Sequence, residues 1–313
     1  MKKLIALLLV ICTLLSVTSC GNKLFLATGS ETGTYYAFGI AFTQVLKDKC
    51  GLEFTVQSTG ASKANIQLID SGDVDLAIVQ NDVMDYAYNG TNTFAADGAI
   101  TSFAAICTMY PEVVQIVASS NIKSVADLKG KKVSVGDVGS GTEFNAAQIF
   151  EAYGMTFDDI QKQNLSFTDS ADKYKDGQLD AFFVTAGAPT VAITELATAS
   201  DFTILSIGEK ELSYLQENYG FYTRFDMTAG TYANVKKDVT TVAVSATLIC
   251  DVNLDDQTVY DITKGIFENI DAITAAHGKG AELSAEKAVQ GISTPMHPGA
   301  TKYFSELGLI AVG

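Results

Sequence analysis

The chain has 313 residues, with 21 Lys and Arg against 36 Asp and Glu and a formal net charge of −15. Because nucleic-acid binding depends on a basic face that neutralises phosphates, this charge argues against a nucleic-acid partner. An acidic surface also repels small anions at long range, so an anionic ligand has to be captured by local dipoles and hydroxyl groups inside a cleft.

The N-terminus predicts export and a lipid anchor. Lys2 and Lys3 precede an apolar run, residues 4–15, that is short for a transmembrane helix. Small residues then lead into Cys20, which is the pattern of a bacterial lipoprotein whose cysteine is lipidated. We expect a signal peptide over residues 1–19 and an extracytoplasmic protein, in the periplasm or at the cell surface, anchored to a membrane through Cys20. An ordinary signal peptide with an incidental cysteine is the alternative.

A turn rich in glycine and hydroxyl groups, Thr28–Tyr36, follows the first predicted strand and opens a helix. The first backbone N–H groups of a helix have no intrahelical partner, and together with the helix dipole they can replace water around a carboxylate or phosphate. A second turn of this kind, Gly139–Thr142, follows the strand-like residues 132–135. Two such turns that face each other would clamp one small anion.

Short apolar strands alternate with helix-period segments through most of the chain, which predicts α/β units with largely parallel sheets. Near the C-terminus, apolar residues recur every three or four positions from Val259 to Ile273. This spacing predicts one long amphipathic helix with a buried stripe.

A weak internal repeat suggests two domains of similar plan. Residues 71–79 and 176–184 share the order Gly, two residues, Asp and an apolar run, and each copy follows one of the Gly-Ser turns. Tyr110-Pro111-Glu112 breaks one long β region and Thr231-Tyr232 precedes another, residues 239–250, and these two regions mark where the chain crosses between domains. We therefore predict one lobe of residues 20–116 and 233–313, a second lobe of residues 117–232, and a two-segment hinge that closes a cleft.

The sequence offers little for metal or catalytic chemistry. His277 and His297 are the only histidines, and the cysteines after the signal, Cys50, Cys107 and Cys250, lack metal-type spacing. We expect no metal, no cofactor and no enzymatic activity. Cys107 and Cys250 lie in strand-like runs that could be neighbours, so a disulfide stays open beside the preferred reading of buried free thiols.

Arg224 is the only arginine of the chain. If the ligand is a carboxylate, Arg224 is the only side chain that could clamp it with a guanidinium. A solvent-exposed loop position is the alternative.

The motifs, taken in order, resemble the TAXI family, the solute-binding proteins of one branch of TRAP transporters. The resemblance runs through nearly the whole chain after the signal and rests on these residues: Thr28-Gly29-Ser30, Gly33-Thr34-Tyr35-Tyr36, 77–83, Tyr110-Pro111-Glu112, 127–133, Gly139-Ser140-Gly141-Thr142, 180–183, Gly230-Thr231-Tyr232 and His297-Pro298-Gly299-Ala300, with Tyr303 and Gly308.

The resemblance implies a type II periplasmic-binding-protein fold, with two α/β lobes around a ligand cleft. It also implies that a small organic acid or amino acid, dicarboxylate or glutamate-like, is delivered to an ion-coupled TRAP membrane permease. We expect one wall of the cleft to contain Ser30, Thr34, Tyr35, Ser62, Asn65 and Gln80. The opposite wall should contain Ser140, Gly141, Thr142, Ala188 and Pro189. Tyr110 should lie at the crossing between them.

Two other functions stay open on the same fold. A ligand-dependent sensor or a component of an ABC importer would use the same cleft residues. An enzyme would need a general base within reach of the cleft, and histidines near the C-terminus are poor candidates.

Overall fold

A computed structural model describes residues 23–311, so the predicted signal peptide and Cys20 lie outside the described residues. Ten strands are present in this range: β1 Leu24–Ala27, β2 Phe54–Gln57, β3 Leu76–Gln80, β4 Phe103–Ala118, β5 Lys132–Ser134, β6 Gln161–Gln163, β7 Ala181–Ala186, β8 Thr203–Ile204, β9 Thr223–Met227 and β10 Val239–Asp251.

Eleven α-helices lie between and after these strands within residues 23–311. They are α1 Thr34–Cys50, α2 Ser62–Asp70, α3 Asn81–Asn89, α4 Gly141–Ala152, α5 Phe167–Lys175, α6 Val191–Ala199, α7 Glu209–Asn218, α8 Asp256–Glu268, α9 Ile270–Ala276, α10 Ala285–Ala288 and α11 Pro298–Glu306. Short 3-10 helices cover Asn92–Phe94, Val125–Leu128, Phe157–Asp159 and Gly278–Glu282. None of the helices in the described part of the chain has the length and apolar character needed to cross a membrane.

The strands form one mixed sheet in the order β2-β1-β3-β10-β4-β7-β5-β6, with β8 added to β4 and β9 added to β10. At one end β1 pairs in parallel with β2 and β3, and at the other end β5 pairs in parallel with β6 and β7. The central strands β4 and β10 pair with each other in antiparallel fashion. Two parallel sheets are thus joined through two long antiparallel strands.

Each end of the sheet has its own hydrophobic cores on its two faces. The residues of β4 before Pro111 pack with α1, α8 and β3, whereas those from Val113 onward pack with helices of the β5–β7 end. On β10 the same change of core lies between Val244 and Ala246. The packing therefore divides the chain into two halves near Pro111 and near residue 245, and their motion as two lobes about a hinge stays a prediction.

The chain does not break at Tyr110-Pro111-Glu112 as the sequence suggested, because β4 runs through these residues without interruption. Pro111 lies opposite Ser245, next to a register shift between Ser245 and Thr247. A bulge is one of the few places where a strand accommodates the missing N–H of proline. The irregularity therefore bends a continuous strand at the crossing.

The single long C-terminal helix is also corrected. Asn269 has φ −121° and ψ 26°, which separates α8 from α9. Its side-chain amide donates to the carbonyl of Gly265 at 2.8 Å and so satisfies a carbonyl at the end of α8. The apolar stripe continues across the break, since Val259 and Ile273 are both fully buried in one core.

The internal repeat has a clear structural basis. Gly72 (φ 76°) and Gly177 (φ 69°) follow α2 and α5 in the left-handed conformation that glycine adopts without strain. Three residues later, Asp75 accepts the backbone N–H of Phe25 at 2.7 Å, and Asp180 accepts the N–H of Lys132 at 2.8 Å. In each half the aspartate thus ties the entry of a buried strand to the first strand of that half.

Cys107 on β4 and Cys250 on β10 are buried free thiols on neighbouring strands. Cys107 lies opposite Leu248 and Cys250 lies opposite Ala104, so the two thiols are not a directly facing pair. Burial raises the pKa of Cys107 to about 12, which keeps its thiol protonated and unreactive.

A buried hydrogen-bond group connects β4 with the segment after β7. The hydroxyl of Tyr232 donates to Gln115 Oε1 and accepts the N–H of Thr190 at 2.7 Å, while Gln115 Nε2 donates to Thr190 Oγ1 at 3.0 Å. All three side chains are buried. They fix the position of the cis Ala188-Pro189 peptide that precedes α6.

Replacing Tyr232 with Phe is expected to lower the free energy of unfolding by about 1–3 kcal/mol, because Gln115 and Thr190 each lose a buried partner. Urea denaturation followed by circular dichroism measures the change. Tyr214→Phe is the matched control, since its hydroxyl bonds Glu151 at the exposed surface, and a change within about 0.5 kcal/mol is expected there. Equal effects of the two variants would contradict a structural role for the buried group.

Candidate functional site

A narrow cleft lies between the two halves. It sits beyond the carboxyl ends of β1, β3 and β7, which is where open α/β sheets place their ligands. Its walls contain Gly29, Ser30, Gly33, Thr34, Tyr35, Ala61, Ser62, Gln80, Glu112, Asp137, Ser140, Gly141, Thr142, Phe167, Thr185 and Ala186.

The first wall is built around the N-terminus of α1. Gly33 precedes this helix in an extended conformation and provides no side-chain cap, so the first N–H groups of α1 are left for another partner. A bond of 2.8 Å from the Gly33 N–H to the Ser30 carbonyl closes the turn. Thr34 donates its hydroxyl to the carbonyl of Gly187 at 2.9 Å and so connects this wall to the opposite half.

The opposite wall is the N-terminus of α4, whose N-cap is Ser140. The Ser140 Oγ accepts the N–H of Glu143 at 3.2 Å, which leaves its own O–H free to donate. Gly136 (φ 93°) admits no larger side chain, because a Cβ there would lie 2.9 Å from Thr142 Cβ. Thr142 Oγ1 in turn accepts the N–H of Thr185 at 3.3 Å, which orients its hydroxyl at the cleft.

Glu143 stabilises this second turn through hydrogen bonds. Its carboxylate accepts the N–H of Gly139 at 2.7 Å and bonds Asn164 at 2.9 Å and Lys162 at 2.5 Å. Burial works against ionisation of this group, but the bonds from Lys162, Gly139 and Asn164 outweigh it and hold the pKa of Glu143 below its usual value. An ionised Glu143 thus keeps the turn in place.

Four buried polar atoms in the cleft wall make no hydrogen bond of ordinary length among residues 23–311: Tyr35 Oη, Gln80 Oε1, Glu112 Oε1 and Thr185 Oγ1. The Tyr35 hydroxyl lies close to Ser62 and Glu112 without reaching that length. Buried polar atoms in native proteins are nearly always paired, and a group without a partner costs free energy. Four such atoms converge on one cleft. This indicates a site made to receive a polar ligand.

The cleft wall contains acidic side chains and no basic ones. Glu112 and Asp137 are its ionisable acids, and the wall contains neither lysine nor arginine. Burial raises the pKa of Glu112 to about 8, although the nearby Lys279 ammonium partly offsets it. Burial and the charge of Asp169 also raise the pKa of Asp137. Near pH 7 Glu112 is therefore mostly a neutral carboxylic acid.

A second group of polar contacts joins the halves beside the cleft. Asn145 on α4 donates to Asp82 Oδ2 at 3.1 Å and to Tyr222 Oη at 2.9 Å, while Gln148 donates to Tyr86 Oη at 3.1 Å. Burial raises the pKa of Asp82 to about 7, since hydrogen bonds from Val83 and Asn145 compensate only in part. The Asn145–Asp82 and Gln148–Tyr86 bonds join α4 to α3 and so connect the two halves.

The structure brings eight of the twelve residues predicted for the site into this cleft. They are Ser30, Thr34, Tyr35, Ser62, Gln80, Ser140, Gly141 and Thr142. The other four, Asn65, Tyr110, Ala188 and Pro189, lie outside its wall.

Asn65 bonds the backbone and has a structural role. Its amide donates to the carbonyls of Thr28 at 2.6 Å and Ile78 at 2.8 Å, so it ties the ends of β1 and β3 together behind the cleft. Tyr110 is buried at the crossing and packs edge-on against Phe38 at 5.3 Å between ring centroids. Residues 188 and 189 form the cis peptide before α6 and do not line the cleft.

Arg224 lies on β9 and not at the cleft. Its exposed guanidinium bonds Glu209 at 2.8 Å and Asp226 at 2.9 Å, so it cannot clamp a ligand there. The described residues also contain no cluster of three or more His, Cys, Asp and Glu side chains that could hold a metal ion.

Sequence reasoning missed Glu112, although a signal existed. Glu112 belongs to the Tyr110-Pro111-Glu112 motif of the family resemblance, in which only Tyr110 was predicted at the site. The apolar Phe167 and the hydroxyl of Thr185 also line the cleft. These two lie in segments without a recognisable motif, and only the fold brings them there.

Replacing Gly141 with Ala is expected to force the halves apart. A Cβ at this position would lie 2.1 Å from Gln80 Oε1 and 2.2 Å from its Cδ, and the Gln80 side chain is buried. Small-angle X-ray scattering should show a larger radius of gyration than for the wild type. Gly60→Ala is the matched control, because its Cβ would meet only Ala64 Cβ at 3.7 Å. An unchanged radius for Gly141→Ala would contradict the tight contact.

Comparison with known proteins identifies the fold. The model of the NMT1-like family matches residues 26–308. PhnD1 from Prochlorococcus marinus, solved in complex with methylphosphonate, has a TM-score of 0.55 at 11% identity and covers 92% of this chain and 98% of its own. A protein from Bordetella bronchiseptica RB50 has a TM-score of 0.54 at 17% identity, covering 90% and 88%.

The periplasmic aliphatic sulphonate binding protein SsuA from Escherichia coli aligns with 90% of this chain and 82% of its own at 15% identity, with a TM-score of 0.46. The mixed α/β architecture is shared with PhnD1 and with the Bordetella protein over nearly their whole length. The fold class predicted from the sequence is confirmed.

Proposed function

The chain belongs to the NMT1-like family, and we propose that it is an extracytoplasmic solute-binding protein whose cleft captures a small carboxylate. One observation carries this proposal. The N-termini of α1 and α4 come from different halves and meet at one cleft that also contains buried polar atoms without partners.

The cleft would hold the carboxylate without a cationic side chain. Backbone N–H groups at the two helix starts carry partial positive charge, and the hydroxyls of Ser30, Ser140 and Thr142 can donate as well. Closure of the halves would exclude water and so strengthen each of these bonds. The acidic surface makes such local capture necessary, since it repels anions at a distance.

The proposal extends to a membrane partner. The ordered motifs that resemble the TAXI family support delivery of a small organic acid or amino acid, dicarboxylate or glutamate-like, to a TRAP-type permease. Lipidation of Cys20 would hold the protein beside that permease. An ABC importer or a sensor kinase is the alternative partner, because either could use the same cleft.

Affinity purification from detergent-solubilised membranes distinguishes these partners. We expect a multi-span permease without an ATPase subunit to co-purify, since TRAP transport is ion-coupled. Recovery of an ATP-binding subunit or a histidine kinase would assign the protein to the alternative class. Mass spectrometry of the same sample tests the lipid on Cys20.

We propose binding without chemical conversion. The cleft wall contains no histidine or cysteine, and among its side chains only Glu112 and Asp137 could serve as a general base. Incubation of the protein with its co-purifying metabolite should return that metabolite unchanged. Formation of a new product would favour the enzyme alternative.

Replacing Ser140 with Ala and Thr142 with Val together is expected to weaken binding by about tenfold or more, because charge-assisted hydrogen bonds to the carboxylate are lost. The ligand is the metabolite identified by native mass spectrometry of the freshly purified protein, and calorimetry gives the affinity. Asp255→Ala is the control for loss of a helix cap, since Asp255 caps α8 far from the cleft. An unchanged affinity in the double variant would refute this placement of the carboxylate.

A further inference from the structure

We propose that Glu112 receives an ammonium group of the ligand, so that the cleft selects amino acids over carboxylic acids of the same length. This inference rests on the proposed function, in which the two helix N-termini hold the ligand carboxylate. It assigns the other end of the ligand to a residue that the sequence motifs did not mark.

The position of Glu112 suits this role. It lies on β4 where the strand passes from one half to the other, and its side chain is 2% exposed. Its Oε1 and Gln80 Oε1 make no hydrogen bond of ordinary length, and the Tyr35 hydroxyl lies near enough to Glu112 to favour the carboxylate. A carboxylate oxygen and an amide oxygen can only accept hydrogen bonds, and a phenol can accept one. A ligand donor placed here would pair with the ionised Glu112 carboxylate and with the Gln80 oxygen.

The charge balance of the cleft leads to the same group. A dicarboxylate would bring two negative charges to a wall that contains Glu112 and Asp137 and neither lysine nor arginine. Two helix N-termini supply only about half a positive charge each. In a zwitterion, the single carboxylate would be bound by the two helix N-termini and the ammonium would be neutralised by the Glu112 carboxylate. Each charge of the ligand would then have a partner in the cleft wall.

The groups around Glu112 permit its ionisation when such a ligand binds. Glu112 interacts electrostatically with Tyr35 on α1, with Tyr110 on β4, and with Lys279 and Glu282 of the 3-10 helix Gly278–Glu282. Lys279 Nζ bonds Glu282 Oε1 at 2.6 Å, so its charge is already shared. Burial raises the pKa of both tyrosines well above the usual value, which keeps them neutral.

Glu112 would therefore lose a proton upon binding. Its pKa of about 8 in the free protein means that it is mostly protonated at pH 7. An ammonium within hydrogen-bond distance favours the carboxylate and lowers this pKa. By linkage, the affinity for an amino acid rises with pH, up to about tenfold per unit between pH 6 and 8.

Calorimetry with matched probes tests the inference. The probes are L-alanine and propionate, L-aspartate and succinate, and L-glutamate and glutarate, each pair differing only by the amine. For the wild type at pH 7 we expect the amino member of at least one pair to bind about tenfold or more tightly than its partner. In Glu112→Gln that preference should fall below about threefold, since the amide lacks the charge.

Two further measurements separate a ligand contact from a structural effect. Titrations in phosphate and Tris buffers at pH 7 should reveal release of close to one proton per bound amino acid in the wild type, and none in Glu112→Gln. Glu209→Gln is the control variant, because Glu209 is an exposed acid that pairs with Arg224 outside the cleft wall. It should keep the preference for the amine.

The outcomes are distinct. Equal or tighter binding of the members without an amine, or proton uptake upon binding, would overturn the assignment of Glu112 and leave the proposed function standing. Failure of all the probes to bind would overturn the small-carboxylate function and this inference with it. Retention of the full amine preference by Glu112→Gln would also contradict the assignment.

Discussion

The antiparallel pairing of β4 with β10 is the constraint on which the rest of the structure depends. Each strand belongs to both halves, so two parallel sheets with separate cores are joined through one ladder. This connection brings the carboxyl ends of β1 and β3 opposite that of β7. The helix N-termini that follow those strands then face each other, and the cleft results from this geometry.

The same crossing places acidic groups in a buried environment. Glu112 lies on β4 at the crossing, and Asp82 lies at the start of α3 against Asn145 of the other half. Burial raises the pKa of Glu112 to about 8 and that of Asp82 to about 7. The folded protein therefore retains protons that the unfolded chain releases, and stability falls as pH rises from about 4 towards these values. A loss of folding stability of this kind is typical of buried groups that are retained for function.

Much of the fold could be predicted because its signals are local. The turns before α1 and α4, the buried strands and the repeat with Asp75 and Asp180 each depend on a few adjacent residues. The break between α8 and α9 was not predicted, since an apolar stripe continues across Asn269. The residues of the cleft wall could be predicted where motifs carry them. Asn65 was expected in the cleft wall but lies behind it, because a polar residue near a helix start can bond the backbone as well as a ligand.

The central claim is that both halves grip a single carboxylate through the starts of α1 and α4. A crystal structure of the protein with its co-purifying metabolite tests this claim most directly. We predict one carboxylate within hydrogen-bond distance of the Ser30–Thr34 turn and the Ser140–Thr142 turn together. A ligand that contacts only one of these turns, or that binds elsewhere on the protein, would contradict the account.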